Sequence, residues 1–223
     1  MNTKQQDKVR RDWEKYMEWT RAITIEKIGE GAYSRHYTKS QEELEGLLPV
    51  LPVFKTSVNR MFFHAVPFAL SQYTPLLHEL GYRKEAAYKI VYDIVREQYR
   101  QEIERSAITK FMYRTMHKWP KFLVNAMTKQ FDVHEKHGWL FEFPRKDFFM
   151  GQNCVQCGAL LWLQEQGAPE ICTIICSTDY ISASYLKGLT FIRTKTLADG
   201  DEMCDFQYYR AGRNIDMNGV TLK

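Results

Sequence analysis

Three cysteines in the last third of the chain, Cys157, Cys176 and Cys204, stand among polar residues suited to thiol chemistry. Cys176 precedes Asp179 by three residues, and Cys204 directly precedes Asp205. A thiolate attacks electrophilic C=N or C=O carbons when a neighbouring acid or base moves the proton. Thiolates also bind soft metal ions. The pattern therefore predicts either a catalytic thiol site or a metal site.

The residues around Cys176 predict one helix over 169–186. Pro169 suits the first turn of a helix because its missing N–H has no partner there. On such a helix Cys172, Cys176 and Asp179 lie near one face. Asp179 is therefore a candidate proton carrier, provided that burial raises its pKa.

The stretch 191–206 has the sequence FIRTKTLADGDEMCDF, which predicts two strands joined by a tight polar turn. Side chains alternate over 190–197, and Gly200 can take the positive φ that a tight turn needs. A returning strand over 203–209 would point Cys204 toward the core. We therefore predict an antiparallel hairpin with Cys204 facing inward.

These residues together resemble the family of L-2-amino-thiazoline-4-carboxylate hydrolases. The resemblance covers about the last third of the chain, and the helical remainder is similar in general character. The motifs that carry it are Cys157, Gly167-x-Pro169-Glu170, Cys176-x-x-Asp179, Phe191-x-Arg193-Thr194-x-Thr196-Leu197-Ala198 and Gly200-Asp201-x-x-Cys204-Asp205-Phe206. Cys154 and Cys172 fall outside these motifs, and we expect them to be plain buried residues.

The resemblance implies an enzyme that hydrolyses a C–N or C–S bond of a small cyclic, anionic substrate. On a thiazoline, a thiolate would attack the carbon between the ring sulfur and ring nitrogen, the ring would open, and water would complete the reaction. Arg193 could bind a carboxylate through two hydrogen bonds, or it could pair with Asp201 and only brace the hairpin. The candidate catalytic residues are Cys176, Cys204, Asp179 and Cys157, and the candidate substrate-binding residues are Arg193, Thr194 and Asp201.

A non-catalytic role is the alternative. Cys157, Cys176 and Cys204 would then bind zinc, copper(I) or an iron–sulfur cluster, and the protein would act as a sensor of a metal or small molecule. Cys154-x-x-Cys157 has zinc-knuckle spacing, but no second CxxC accompanies it. No cofactor is needed for thiol catalysis, whereas the alternative requires a metal or cluster.

Composition narrows the class of protein. The chain is 44% hydrophobic and 26% charged with a net charge of +4, which is ordinary for a globular protein and too little charge to indicate nucleic acid. No apolar run approaches the ~18 residues of a membrane span, and the start lacks the apolar centre of a signal peptide. We predict a cytoplasmic protein with no membrane or nucleic-acid partner, and the oligomeric state stays open. A basic excess over 83–129 could steer an anionic substrate.

Hydrophobic periodicity predicts an α+β fold in a single domain, 1–223. A mostly helical part, 1–130, would pack on a motif-bearing part, 131–210, that contains a small antiparallel sheet and the C-terminal hairpin. The predicted helices are 4–27, 40–47, 55–80 with breaks at its prolines, 82–117 as one helix or two, 121–129, 159–166 and 169–186. The predicted strands, besides the hairpin, are 139–143 and 147–156.

Overall fold

The computed structural model describes residues 1–120, 122–124, 134–144 and 148–211. Within these ranges the fold is α+β, as predicted: helices fill the N-terminal half, and a four-stranded antiparallel sheet with three short helices forms the C-terminal half. The helix predicted over 121–129 falls mostly outside the described residues, and so does residue 147 of the strand predicted over 147–156.

The helices and strands follow one another from the helical half into the sheet. The helices are α1 (Thr3–Ile28), α2 (Glu30–Leu47), α3 (Ser57–Phe63), α4 (Val66–His78), α5 (Lys84–Arg105), α6 (Ala107–Thr115), α7 (Gly158–Glu165), α8 (Ile171–Cys176) and α9 (Thr178–Tyr185). The strands are β1 (Leu140–Glu142), β2 (Met150–Gln156), β3 (Leu189–Ile192) and β4 (Cys204–Arg210), which lie in the order β1-β2-β4-β3.

Local signals explain where the first helices begin and end. Asn2 and Gln5 form a reciprocal capping box at the start of α1. Gly29, with φ 83°, ends α1, and α2 begins at the next residue. The prediction placed the second helix only over 40–47, so its first ten residues were missed. The predicted helix over 82–117 is two helices, because Ser106 caps α6 through a hydrogen bond from the backbone N–H of Thr109.

One hydrophobic core spans both halves of the chain. Its helical contribution includes Trp13, Phe68 and Val91, and α7 and α8 insert Trp162 and Ile171 into the same cluster of buried side chains. Helix α8 packs against both α4 and α5. Among the described helices, none combines the length and apolar character needed to cross a membrane.

The C-terminal hairpin is present, but its connection differs from the prediction. β3 and β4 pair from Leu189↔Arg210 to Ile192↔Gln207, so the first strand ends five residues earlier than predicted. The strand ends there because carboxylates take the next backbone N–H groups: Asp205 accepts from residues 194 and 195, and Asp201 accepts from residue 196. A loop over 193–203 replaces the tight turn. Gly200 does take a positive φ, 92°, as predicted.

The helix predicted over 169–186 is also interrupted. α8 ends at Cys176 and α9 begins at Thr178, so Cys172, Cys176 and Asp179 do not share one continuous helix. The hydroxyls of Ser177 and Thr178 donate to the carbonyls of residues 174 and 175 at 2.6 and 2.7 Å. Such local bonds compete with regular helix hydrogen bonding.

Candidate active site

A cavity of about 380 Å³ lies where α5, the α8–α9 break and the 193–203 loop meet. A volume of this size suits a small-molecule ligand. The lining side chains include two arginines, one cysteine and one aspartate. The lining residues are Tyr92, Arg96, Thr173, Cys176, Ser177, Tyr180, Arg193, Thr196 and Asp199.

Arg193 is the most buried charged residue of this lining, with 3% of its surface exposed. Its Nη1 donates to Asp179 Oδ2 at 2.6 Å and to the Cys176 carbonyl at 3.3 Å. Its guanidinium group also lies over the rings of Tyr180 and Phe206, 5.0 and 5.8 Å from their centroids. The sequence places Asp179 and Arg193 in separate elements, and the fold joins them in an ion pair.

Two opposing effects act on the pKa of the Asp179 carboxyl group. Burial raises its pKa to about 6, and the attraction of Arg193 opposes that shift without reversing it. The Asp179 side chain is 33% exposed, so it is only partly removed from solvent. The direction of this shift is the one that a proton carrier needs, although Asp179 itself is not part of the cavity lining formed by the described residues.

The α8–α9 break brings a second guanidinium group to the cavity. Arg96 of α5 donates from Nη1 to the Ser177 carbonyl at 3.0 Å, and its guanidinium group lies 5.1 Å from the centre of the Tyr92 ring. Arg96 and Arg193 thus bond to neighbouring carbonyls at the break. Sequence reasoning missed Arg96, although the basic excess over 83–129 contained the signal.

Cys176 and Cys204 occupy different positions relative to the cavity. Cys176 is half-buried and lines it. Cys204 is only 4% exposed, and its Sγ accepts the Leu197 N–H at 3.3 Å and lies 3.5 Å from Oγ1 of Thr196, which does line the cavity. The neighbouring Cys154 thiol, together with the Thr196 hydroxyl and the Leu197 N–H, lowers the pKa of Cys204 to about 7.

The other three cysteines do not line the cavity in the described part of the chain, and each of them lies next to another cysteine. Cys154 lies opposite Cys204 in the β2–β4 register. The Sγ atoms of Cys157 and Cys172 are 3.9 Å apart. Cys154 and Cys172 are buried, as predicted, yet each contacts a cysteine of the motifs. Cys157 is half-buried, and the cavity lining in the described part of the chain does not include it.

Thr194 and Asp201 form hydrogen bonds that stabilise the 193–203 loop, which contributes residues to the cavity. The Thr194 hydroxyl donates to Asp205 Oδ2 at 2.6 Å, and Asp201 Oδ2 accepts the Thr196 N–H at 2.7 Å. Neither residue is part of the lining formed by the described residues. Asp205 thus braces the hairpin through its hydrogen bonds to the loop.

No group of three or more His, Cys, Asp or Glu side chains within the described ranges is arranged to hold a metal ion. Cys157, Cys176 and Cys204, the three ligands that the metal hypothesis would need, all lie within these ranges.

Comparison with known proteins identifies the family of this chain but no individual relative. The chain matches no curated protein and no solved structure. The model of the L-2-amino-thiazoline-4-carboxylic acid hydrolase family matches residues 59–208, which is well over half of the chain and extends from α3 through most of β4. The matched region contains the whole cavity lining and all five cysteines. The chain belongs to the L-2-amino-thiazoline-4-carboxylic acid hydrolase family.

Proposed function

We propose that this protein hydrolyses a small cyclic amidine carboxylate of the 2-amino-thiazoline-4-carboxylate type, with Cys176 as the nucleophile. Membership of the family supports the reaction class. The observation that carries the choice of Cys176 is its place in one cavity with two guanidinium groups, those of Arg96 and Arg193. Cys204 is not part of the cavity lining formed by the described residues, so a substrate in the cavity would meet Cys176.

Charge in the cavity matches the charges of such a substrate. A carboxylate would bind at the Arg96 and Arg193 end, because charge-assisted hydrogen bonds to guanidinium groups are strong and directional. Asp199 lines the same cavity and would accept a hydrogen bond from the exocyclic amino group. Binding at both ends would orient the ring carbon toward Cys176.

The chemistry requires one nucleophile, one proton carrier and one water. Asp179 accepts the Cys176 thiol proton, and the thiolate attacks the carbon between the ring sulfur and nitrogen, forming a new C–S bond. The ring C–S bond to that carbon then breaks, because sulfur is a better leaving group than nitrogen, and Asp179 returns the proton to the departing ring sulfur. Water then attacks the same carbon and releases Cys176, so that one water is consumed per turnover.

The direct test is turnover of 2-amino-thiazoline-4-carboxylate by the full chain, with the ring-opened product measured by mass spectrometry. Cys176→Ser should reduce kcat at least a hundredfold, because a serine hydroxyl is a far weaker nucleophile at neutral pH. A covalent adduct on Cys176 in rapidly quenched wild-type protein should appear in the same assay.

Cys204→Ser is the matched control. A serine oxygen can accept the Leu197 N–H in place of the sulfur, so this variant should keep most of its activity. Melting temperatures of both variants separate a folding defect from a chemical one. Activity that survives in Cys176→Ser and disappears in Cys204→Ser would overturn the assignment, and wild-type protein that binds the substrate without turnover would favour the sensor alternative.

A further inference from the structure

Two thiols outside the cavity lining, those of Cys157 and Cys172, are close enough to react with each other. Their Sγ atoms are 3.9 Å apart. A disulfide has an S–S distance of about 2.05 Å, so bond formation needs the two side chains to approach by roughly 2 Å. We infer that Cys157 and Cys172 form a modification site, a thiol pair that a hydroperoxide converts reversibly into a disulfide.

The two thiols differ in their surroundings in the way that such a reaction needs. Cys157 is half-buried and is the N-cap residue immediately before α7. The neighbouring Cys172 thiol, together with the backbone N–H groups of Leu160 and Ala159 in the first turn of α7, lowers the pKa of Cys157. Cys172 is 1% exposed, and its hydrogen bonds to Cys157 and Cys176 raise its pKa. Cys157 is therefore the thiolate that meets the oxidant, and Cys172 is the thiol that resolves the product.

The reaction balances with a hydroperoxide as the oxidant. The Cys157 thiolate attacks the terminal peroxide oxygen, an S–O bond forms and the O–O bond breaks. This gives a sulfenic acid, and the other peroxide oxygen takes up the proton that Cys157 lost and leaves as an alcohol, or as water from hydrogen peroxide. The Cys172 sulfur then attacks the Cys157 sulfur, the S–O bond breaks, and water leaves with the Cys172 proton. With hydrogen peroxide, two thiols and one peroxide give one disulfide and two waters, and the peroxide is reduced by the two electrons that the sulfurs lose.

The site is distinct from the proposed catalytic residues but adjoins them. Cys172 is followed in α8 by Thr173, which lines the cavity, and Cys176 lies one turn further on. A disulfide would therefore tie the residue before α7 to a helix of the cavity. Its detection by cross-linking does not depend on hydrolysis of any substrate.

The experiment is a peptide map of the full chain after treatment with hydrogen peroxide and blocking of the remaining thiols with N-ethylmaleimide. Cleavage after glutamate separates peptide 143–165, with Cys154 and Cys157, from peptide 171–202, with Cys172 and Cys176. We expect these two peptides to be joined in the non-reduced map and separated by dithiothreitol. Fragment spectra of the joined peptide should place the bond between Cys157 and Cys172.

Serine variants identify the sulfurs independently of the fragment spectra. Cys157→Ser and Cys172→Ser should each lose the cross-link, whereas Cys154→Ser and Cys176→Ser should keep it. Far-ultraviolet circular dichroism checks that each variant is folded, and the wild-type map decides the question if one is not.

Three results would overturn the inference. These are a peroxide-treated wild-type protein with no cross-link between the two peptides, a cross-link that survives in Cys172→Ser, and a bond found instead between Cys154 and Cys204.

Discussion

The ion pair of Arg193 and Asp179 shows how burial can outweigh attraction at the level of single residues. A carboxylate 2.6 Å from a guanidinium group would ordinarily have a lowered pKa, yet that of Asp179 is raised to about 6. The carboxyl group thus takes up its proton closer to neutral pH than a free aspartate does. Such a pKa suits an acid–base residue better than a purely structural ion pair.

The pH dependence of the proposed hydrolysis follows from this shift. Asp179 accepts a proton only when ionised, so kcat/KM of the wild-type protein should rise with pH to a plateau, with a midpoint near pH 6. Asp179→Asn should lower kcat/KM by at least tenfold at neutral pH and remove that rise. The measurement is the pH profile of both proteins between pH 4.5 and 8. A profile with an unchanged midpoint near 6 in Asp179→Asn would assign the titration to another group.

Arg96 should act on substrate binding more than on chemistry. Arg96→Gln removes a cation from the cavity, and the loss of one charge-assisted hydrogen bond of about 1.5–3 kcal/mol should raise KM roughly tenfold or more, with a smaller change in kcat. The matched control is Arg100→Gln, one turn along α5, where the arginine pairs with Glu97 at the surface. Steady-state kinetics of the two variants should differ in KM, and equal KM values would remove Arg96 from the binding site.

At the level of elements, the 193–203 loop depends on carboxylates that accept backbone N–H groups. Asp205 is buried and accepts four hydrogen bonds, from the N–H groups of Thr194 and Lys195, from the Thr194 hydroxyl and from the Gln207 side-chain amide. The result is a loop that presents Arg193, Thr196 and Asp199 to the cavity. Alternation along 190–197 could not reveal this, because the deciding acceptors lie on the returning strand and in the turn.

Asp205→Ala should therefore destabilise the protein. The substitution leaves buried N–H donors without their charged acceptor, and the free energy of unfolding should fall by about 2–4 kcal/mol in urea denaturation. Glu202→Gln is the control within the same loop, since Glu202 pairs with Lys195 at the surface and its loss should change stability by less than about 1 kcal/mol. Similar losses in both variants would contradict the bracing role of Asp205.

The junction of β2 and α7 requires a glycine. A Cβ atom on Gly158 would lie 1.9 Å from the His137 carbonyl oxygen and 2.5 Å from its carbonyl carbon, which are backbone atoms with little freedom to move. Gly158→Ala should lower the free energy of unfolding by about 1–3 kcal/mol or more. Gly46→Ala in α2 is the matched control: no atom lies within 4 Å of its Cβ position, and alanine favours a helix by about 1 kcal/mol, so this change should stabilise. Thermal melts of the two variants should shift in opposite directions.

At the level of the whole molecule, sequence patterns predicted the α+β class and the order of helices and strands but not the cavity. The helical periodicity of α1 and α5 and the change of period at β1 are local properties, so they are visible in the sequence. The cavity joins Arg96, Cys176 and Arg193 from elements far apart along the chain. It also depends on the interruption at Ser177, where both arginines donate to backbone carbonyls. Of these three residues, only Cys176 and Arg193 belong to the sequence motifs, so Arg96 could not be singled out from the sequence.

The hydrophobic core leads to a proposal about cooperativity: the chain is one domain whose halves unfold together. Trp162 of α7 is fully buried, lies edge-to-face against Phe63 of α3 with ring centres 5.2 Å apart, and donates its indole N–H to the Val50 carbonyl at 3.4 Å. A core shared in this way should melt in a single transition, with equal calorimetric and van't Hoff enthalpies. Trp162→Ala should lower the free energy of unfolding by about 3–5 kcal/mol and the melting temperature by roughly 10 °C, without splitting the transition.

Trp19→Ala provides the comparison for this prediction. Trp19 is partly exposed and stacks with Arg105 at the surface of the helical half, so its loss should cost only about 1 kcal/mol. Calorimetry of the three proteins, followed in parallel by near- and far-ultraviolet circular dichroism, distinguishes one cooperative unit from two. If Trp162→Ala shifts one transition and leaves a second at its original temperature, the helical half folds independently of the sheet, and the cavity between them becomes an interface between two domains.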